Sequence, residues 1–192
     1  LLLGEAQLVA KDAASAQRSA AEAARLPGVQ DADIEWLRAR AVDALEASRG
    51  QPPVDRTDRE ALGHLLTTRS LLAYRLGQHE RAQAMLERSL EILRPLNDAR
   101  LVVEPITFLG TVMTLVGDHA RAAELFREGR EKAVAVDDRW FAAMCLALQG
   151  SVSLHFGQYG VAHEQMRGAV AELRALGDPR FTAFGLNHLA RS

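Results

Sequence analysis

The stretch LVGDHARAAELFREGREKAVAVDD, residues 115–138, has two recognisable copies elsewhere in the chain. Residues 75–98 read RLGQHERAQAMLERSLEILRPLND, and residues 155–178 read HFGQYGVAHEQMRGAVAELRALGD. Because the copies begin at residues 75, 115 and 155, the period is 40 residues. A fixed period of this size indicates a repeat architecture in which each copy packs against the next.

Three kinds of small or polar residue occupy the same place in every copy. They are the glycines Gly77, Gly117 and Gly157, the alanines Ala82, Ala122 and Ala162, and the aspartates Asp98, Asp138 and Asp178. A large apolar residue also recurs at Leu86, Phe126 and Met166. The recurrence of glycine, alanine and a large apolar residue predicts turns and packing contacts that each repeat shares.

The apolar residues within one copy have helical spacing. Ala122, Leu125, Phe126, Gly129 and Ala133 lie on one face of a helix, here called helix B. The stretch from Pro105 to Val116 before Gly117 has a similar stripe and predicts a second helix, helix A. Each repeat is therefore predicted to be a pair of helices.

The invariant glycines fall between helix A and helix B, where a residue with positive φ can end the first helix. The aspartates precede the next helix A, where a carboxylate can accept hydrogen bonds from free backbone N–H groups as an N-cap. Small residues, Gly110 and Gly150 on helix A and the repeated alanines on helix B, predict places where two helices approach closely.

This pattern resembles the tetratricopeptide repeat. The family's small residue on helix A, turn glycine and helix-B alanine are matched by Gly110, Gly117 and Ala122. The repeat of about 34 residues that is usual in the family is here 40, and Ser70 stands where a glycine is expected. The family's first aromatic of helix A is replaced by Leu66, Ile106 and Leu146.

The resemblance implies an all-α fold, an antiparallel helix-pair solenoid with the right-handed superhelix of tetratricopeptide-like proteins. The predicted divisions are a degenerate N-terminal helix pair and loop in residues 1–57, repeats at 58–98, 99–138 and 139–178, and a truncated helix A at 179–192. Because Ser192 falls inside that last helix, the chain is expected to be a fragment of a longer protein whose open end could self-associate.

The balance of charged residues gives no support for a function that involves a polyanion such as nucleic acid. With 23 basic and 25 acidic residues, the net charge is −2, which gives no general attraction to nucleic acid or to anionic membranes. The opening residues lack the features of a signal peptide, and the single cysteine, Cys145, fits a reducing compartment. We therefore expect a cytoplasmic protein without direct nucleic-acid or membrane binding.

No catalytic residue, cofactor site or metal site is predicted. Nucleotide-binding glycine motifs and a nucleophile elbow are absent from the sequence. His79 and His119 share a repeat position at the start of helix B, where a solvated polar residue is expected. Ser151 and His155 lie one helical turn apart without an evident orienting acid, and Cys145 lies in an apolar run that predicts a buried thiol. An enzyme is therefore not expected.

Binding of a protein or peptide in a concave groove lined by the A helices is the expected function, and binding on the convex face is the alternative. By the resemblance, groove residues fall at spacing 0, +3, +7 and +10 on each helix A. The predicted set is His64, Thr67, Leu71, Tyr74, Glu104, Thr107, Thr111, Thr114, Met144, Ala147, Ser151, Leu154, Phe184, Asn187 and Arg191. It is rich in hydroxyl groups, which predicts an extended, partly apolar ligand rather than an acidic tail.

Forty-residue repeats that close in LND, VDD and LGD also resemble the repeat regions of MalT-like, LuxR-type and SARP-type bacterial regulators. That resemblance implies an interaction or sensor segment of a larger transcriptional or signalling regulator, which binds a protein segment or effector. The alternative is a stand-alone scaffold or adaptor that could self-associate.

Overall fold

The computed structural model describes residues 56–190, which are helical throughout apart from short turns. The described helices are α1 Arg56–Arg75, α2 His79–Leu93, α3 Ala99–Val116, α4 His119–Ala135, α5 Arg139–His155, α6 Tyr159–Ala175 and α7 Pro179–Leu189. The predicted all-α fold of consecutive helix pairs is confirmed. The degenerate pair predicted within residues 1–57 lies almost entirely outside the described residues, as does Arg191.

The described residues fall into two compact units, which divide between Asn97 and Asp98. In the described part of the first unit, α1 packs against α2, and a short 3₁₀ turn, Arg94–Leu96, follows α2. In the second unit α3 pairs with α4, α5 pairs with α6, and α7 packs on α6. Helix α5 contacts all four other described helices of this unit, so it is the central helix of the second unit.

The turns between paired helices follow the prediction. Gly77, Gly117 and Gly157 have φ of 73°, 87° and 68°, a backbone conformation that disfavours residues with a Cβ. At the end of α3 the N–H of Gly117 donates to the carbonyl of Thr114, and the N–H of Asp118 donates to that of Met113. The glycine thus ends the first helix while keeping its last carbonyls hydrogen-bonded.

A second left-handed position, which the sequence reading missed, lies between one pair and the next. Asn97, Asp137 and Gly177 have φ of 53°, 58° and 71°, and they share one place in the 40-residue period. Asparagine, aspartate and glycine are the residues that tolerate this conformation best. Both turns of each repeat are therefore set by a residue that can adopt positive φ.

The predicted aspartate caps are confirmed. Asp98 accepts a hydrogen bond from the N–H of Arg100, Asp138 from that of Phe141, and Asp178 from that of Phe181, each at 3.0 Å. An unpredicted cap, Asp118, accepts from the N–H of Arg121 at 3.1 Å and begins α4. These carboxylates satisfy N–H groups that have no partner within their own helix.

The small residues lie where helices meet, as predicted. A Cβ at Gly110 would lie 2.6 Å from the ring of Phe126, and one at Gly150 would lie 2.9 Å from the side chain of Met166. Phe126 and Met166 have no exposed surface, and neither do the alanines Ala82, Ala122 and Ala162. Glycine on helix A therefore makes room for the large side chain on helix B.

Candidate protein-interaction face

One side of α3 stays accessible along its whole length. Its residues follow each other at intervals of three and four, which keeps them on one face of a helix. We call this face the outer stripe of α3; it consists of Leu101, Glu104, Phe108, Thr111 and Leu115. Apart from Thr114 and the two ends of the helix, the other residues of α3 are buried, so this stripe is the main part of the helix that a partner could reach.

Helix α5 carries a corresponding stripe in the next repeat. Phe141, Leu148 and Ser151 are half-buried, and His155 is exposed. Met144, which corresponds to Glu104, is only 2% exposed. The α5 stripe is therefore apolar and aromatic, with a single hydroxyl group. Because α3 and α5 contact each other, the two stripes belong to neighbouring helices of one unit.

The predicted groove residues do not all reach the surface. The structure corrects the prediction for Thr67, Thr107, Ala147 and Met144, which are buried in the core and offer a partner little or no surface. The other described members are half-buried or, for Asn187, exposed: His64, Leu71, Tyr74, Glu104, Thr111, Thr114, Ser151, Leu154, Phe184 and Asn187. Their role in binding remains a prediction.

The buried threonines have structural partners. Thr107 Oγ1 donates to the carbonyl of Val103 at 2.8 Å and lies 3.2 Å from Cys145 Sγ. A Cβ at Gly129 would lie 3.1 Å from that sulfur, so the absent side chain leaves room for the Thr107–Cys145 contact. In the first unit, Thr67 Oγ1 bonds Ser89 Oγ at 2.9 Å. In these two repeats, the threonine at the predicted +3 groove position therefore contacts a neighbouring helix and is not available to a partner.

At the +3 position, the accessible residue lies one place further along the helix than predicted, whereas the predicted Glu104, Thr111 and Ser151 do lie on the accessible face. Phe108 and Leu148 follow the buried Thr107 and Ala147, and they were absent from the predicted set. A rotation of about 100° per residue separates neighbours on a helix, so an error of one residue moves a side chain from the surface to the core. The alternation of threes and fours from Leu101 to Leu115 is the sequence signal that could have found them.

The accessible hydroxyl groups of α3 are available as hydrogen-bond acceptors. Thr111 Oγ1 donates to the carbonyl of Thr107 at 3.1 Å, and Thr114 Oγ1 donates to that of Gly110 at 3.0 Å. A hydroxyl has a single proton, so that proton is already used within the helix. What remains available on each threonine is oxygen lone pairs.

The histidines differ from the solvated residues that the sequence predicted. The rings of His119 and His155 stack with centroids 3.9 Å apart, and His79 lies against Tyr74 at 6.2 Å. The Nδ1 atoms of His79 and His119 are buried without a hydrogen-bond partner among the described residues. His155 thus pairs with His119, and no hydrogen bond between the described side chains of Ser151 and His155 supports a catalytic pair.

Cys145 is buried, as predicted. Burial raises the pKa of its thiol to about 11, although the hydrogen bond with Thr107 works in the opposite direction. At neutral pH the sulfur therefore carries its proton and is a poor nucleophile. The thiol packs between helices and lies away from the outer stripes.

A second apolar surface follows the turns at the ends of α3 and α5. Its residues are between 45% and 59% exposed, and they are Leu115, Val116, Phe156, Tyr159 and Val161. The stacked His119 and His155 join the two turns. Leu115 belongs to both surfaces, so the apolar end of the outer stripe of α3 continues into this edge.

The described residues were also compared with what a membrane-spanning helix and a metal site require. Helix α3 alone among them is long and apolar enough to cross a bilayer, but half of it is buried, and core helices of water-soluble proteins pass the same test. Within residues 56–190, no three histidine, cysteine, aspartate or glutamate side chains are grouped to hold a metal ion.

Comparison with known protein families finds a family that consists of helix-pair repeats. Residues 61–133, which run from α1 into α4, match the tetratricopeptide repeat family. The described helix pairs are tetratricopeptide-like. Repeats of this family generally mediate protein–protein interaction and are typically non-catalytic scaffolds. A search of curated proteins finds no match to the chain.

Proposed function

We propose that this chain is a protein-interaction segment whose outer stripes on α3 and α5 bind an extended segment of a partner. The observation that carries the proposal is the composition of those stripes. Among the stripe residues of α3 and α5, Glu104 alone is an aspartate, glutamate, lysine or arginine. A helix face that is accessible but hardly charged is unusual for a solvated surface and suits a partly apolar ligand.

The test places two arginines on the outer side of α3. A library of short synthetic peptides with blocked termini is screened for binding to the 192-residue chain. The affinity of each peptide that binds is then measured by fluorescence polarisation. The double variant Thr111→Arg with Thr114→Arg should lose most of this binding, because two bulky guanidinium groups would occupy the surface. Thr107 is left intact, since an arginine in its buried site would disrupt the fold.

The matched control adds the same charge on α4. Ala120 and Ala135 are exposed, so Ala120→Arg with Ala135→Arg changes the net charge equally on another helix. This control should bind the peptides as the parent does, and both variants should keep the parent's circular dichroism spectrum. Equal binding by the Thr111/Thr114 variant and the parent would overturn the proposal.

The wider setting is proposed from the repeat pattern. The 40-residue repeats support a sensor or interaction region of a larger bacterial transcriptional or signalling regulator in the cytoplasm. In that setting the ligand is a protein segment or an effector that alters the regulator's state. Co-purification of the full-length regulator with a peptide-bearing partner, lost in the Thr111/Thr114 variant, is the expected result.

A stand-alone scaffold is the second candidate, and the exposed turn edge favours it. Phe156 and Tyr159 are more than half exposed, and such aromatic residues are common at protein interfaces. Sedimentation over a concentration series would show whether this edge pairs two copies. Loss of dimers in Phe156→Ser with Tyr159→Ser would support self-association through the edge.

A further inference from the structure

The single charge on the outer stripes, Glu104, has no partner among residues 56–190. Glu104 is half-buried, and among the described residues its carboxylate makes no ion pair or hydrogen bond. Arg100, one turn earlier on the same helix, is exposed but does not pair with it. A partly desolvated carboxylate without a cation gains free energy when a cation is supplied.

The surface of α3 next to Glu104 adds further hydrogen-bond acceptors. Pro105 lies inside α3, and because proline has no N–H, the carbonyl of Leu101 lacks its usual helical donor. Leu101 and Glu104 are neighbours on the helix surface, since they lie three residues apart. Two turns beyond Glu104, the hydroxyl of Thr111 also presents lone pairs, because it donates its proton to the carbonyl of Thr107.

The acceptors lie beside apolar surface. Phe108 follows Glu104 by one turn on the same stripe and is half-buried, and Leu115 is 52% exposed. A lysine or arginine side chain combines a donor-rich cationic head with an apolar stem. Its head can meet the carboxylate while its stem, or the next apolar residue of the ligand, covers Phe108.

From this arrangement we propose that the outer stripe of α3 selects a partner segment with a lysine or arginine next to an apolar residue, the basic group being bound by Glu104. The proposal rests on the proposed function and specifies the chemistry of its ligand. Charge complementarity commits the site to a basic segment. An acidic segment would place like charges together at Glu104 and is disfavoured.

The experiment compares residue preferences within the same library of terminally blocked peptides. Blocking both ends ensures that any charge preference comes from side chains. The parent should enrich peptides with lysine or arginine beside a leucine or phenylalanine. In Glu104→Gln, which keeps the shape of the side chain, the advantage of a basic peptide over its glutamine analogue should fall by about tenfold. Glu104→Lys should instead favour peptides with aspartate or glutamate.

Glu124→Gln is the matched control, because Glu124 is an exposed glutamate on α4. It should leave the preference for basic peptides unchanged. Binding that is sensitive to Thr111→Arg with Thr114→Arg but shows no basic preference would overturn this inference alone, as would a basic preference that survives Glu104→Gln. Absence of any peptide binding sensitive to the Thr111/Thr114 change would overturn the proposed function as well.

Discussion

At the residue scale, the fit between helix A and helix B depends on a glycine that faces a large side chain. Gly110→Ala would place a methyl group 2.6 Å from the ring of Phe126, which is fully buried. We expect this substitution to lower the free energy of unfolding by about 1–3 kcal/mol. Urea denaturation followed by circular dichroism measures the change.

Gly160→Ala is the control for the same substitution. Gly160 lies in α6 without a positive φ, and no atom lies within 4 Å of the place that an added methyl group would occupy. Alanine there should therefore stabilise the chain by about 0.5–1 kcal/mol.

The first repeat also suggests a rescue, since Ser70 and Leu86 stand where Gly110 and Phe126 do. Adding Phe126→Leu to Gly110→Ala should recover part of the lost stability; an unchanged deficit would contradict the proposed clash.

The buried thiol gives a second prediction at this scale. Because burial raises the pKa of Cys145 to about 11, the folded chain should react with a thiol reagent far more slowly at about pH 8 than an unfolded thiol does. The reaction rate should rise together with unfolding across a urea titration. A fast reaction in the absence of urea would show that the sulfur is accessible.

At the scale of the element, positive φ decides which residues can join one pair to the next. Gly177 has φ 71°, and the equivalent residues in the other repeats are Asn97 and Asp137. We expect Gly177→Asn to be nearly neutral and Gly177→Val to cost about 1–2 kcal/mol, because a β-branched residue is strained in this conformation. Equal stability of the two variants, measured by thermal unfolding, would argue against a required left-handed turn.

The cap of α7 ties this element to α5. Asp178 Oδ1 accepts from the N–H of Phe181, and Oδ2 accepts from the indole N–H of Trp140 at 2.7 Å. The hydrogen bond from the backbone N–H of Phe181 is the main cause that lowers the pKa of Asp178 below its ordinary 3.8, and the hydrogen bond from the indole of Trp140 is the second. We expect Asp178→Ala to cost about 1 kcal/mol at neutral pH through loss of the cap.

The pH dependence of that loss has a definite sign. A carboxyl group whose pKa is lowered by folding stabilises the folded state above its unfolded pKa, and this contribution disappears as the pH falls through the lower folded value. The stability difference between the parent and Asp178→Ala should therefore shrink once the pH falls below 3.8. Urea titrations at neutral and strongly acidic pH test this, and a constant difference would exclude the ionised carboxylate as the cause.

The same elements show what the sequence could predict. The turn glycines and aspartate caps were predictable because identical residues recur where backbone geometry demands them. The second left-handed turn was missed because three different residue types, asparagine, aspartate and glycine, adopt the same positive φ there, so no single residue recurs in the sequence. The accessible face of α3 was misplaced at Thr107 because periodicity gives the helix but not its rotation, which depends on contacts such as that with Cys145.

At the scale of the whole molecule, stability should vary along the second unit. Helix α5 contacts α3, α4, α6 and α7, whereas α7 packs on α6 and α5 alone among the described helices. Phe181, Phe184 and Leu189 pack against a buried cluster that consists of Ala143, Ala147, Met166, Ala169 and Leu173. Leu186 remains 39% exposed, so α7 is covered on one side only.

In a repeat array, a helix is stabilised mainly by packing on its neighbours, so local opening should begin in α7, which is the shortest described helix of this unit and is covered on one side only. We expect backbone amides of α7 to exchange with deuterium fastest among the helices of the second unit and those of α5 slowest. Asp178→Ala should accelerate exchange in α7 much more than in α3 and α4, because it removes the cap of α7 and its bond to Trp140 without touching the Gly110–Phe126 contact. Hydrogen–deuterium exchange followed by mass spectrometry resolves these segments. Uniform exchange in all five helices, accelerated equally by Asp178→Ala, would instead mean that the unit opens as a single cooperative block, since every amide would then report the same opening reaction.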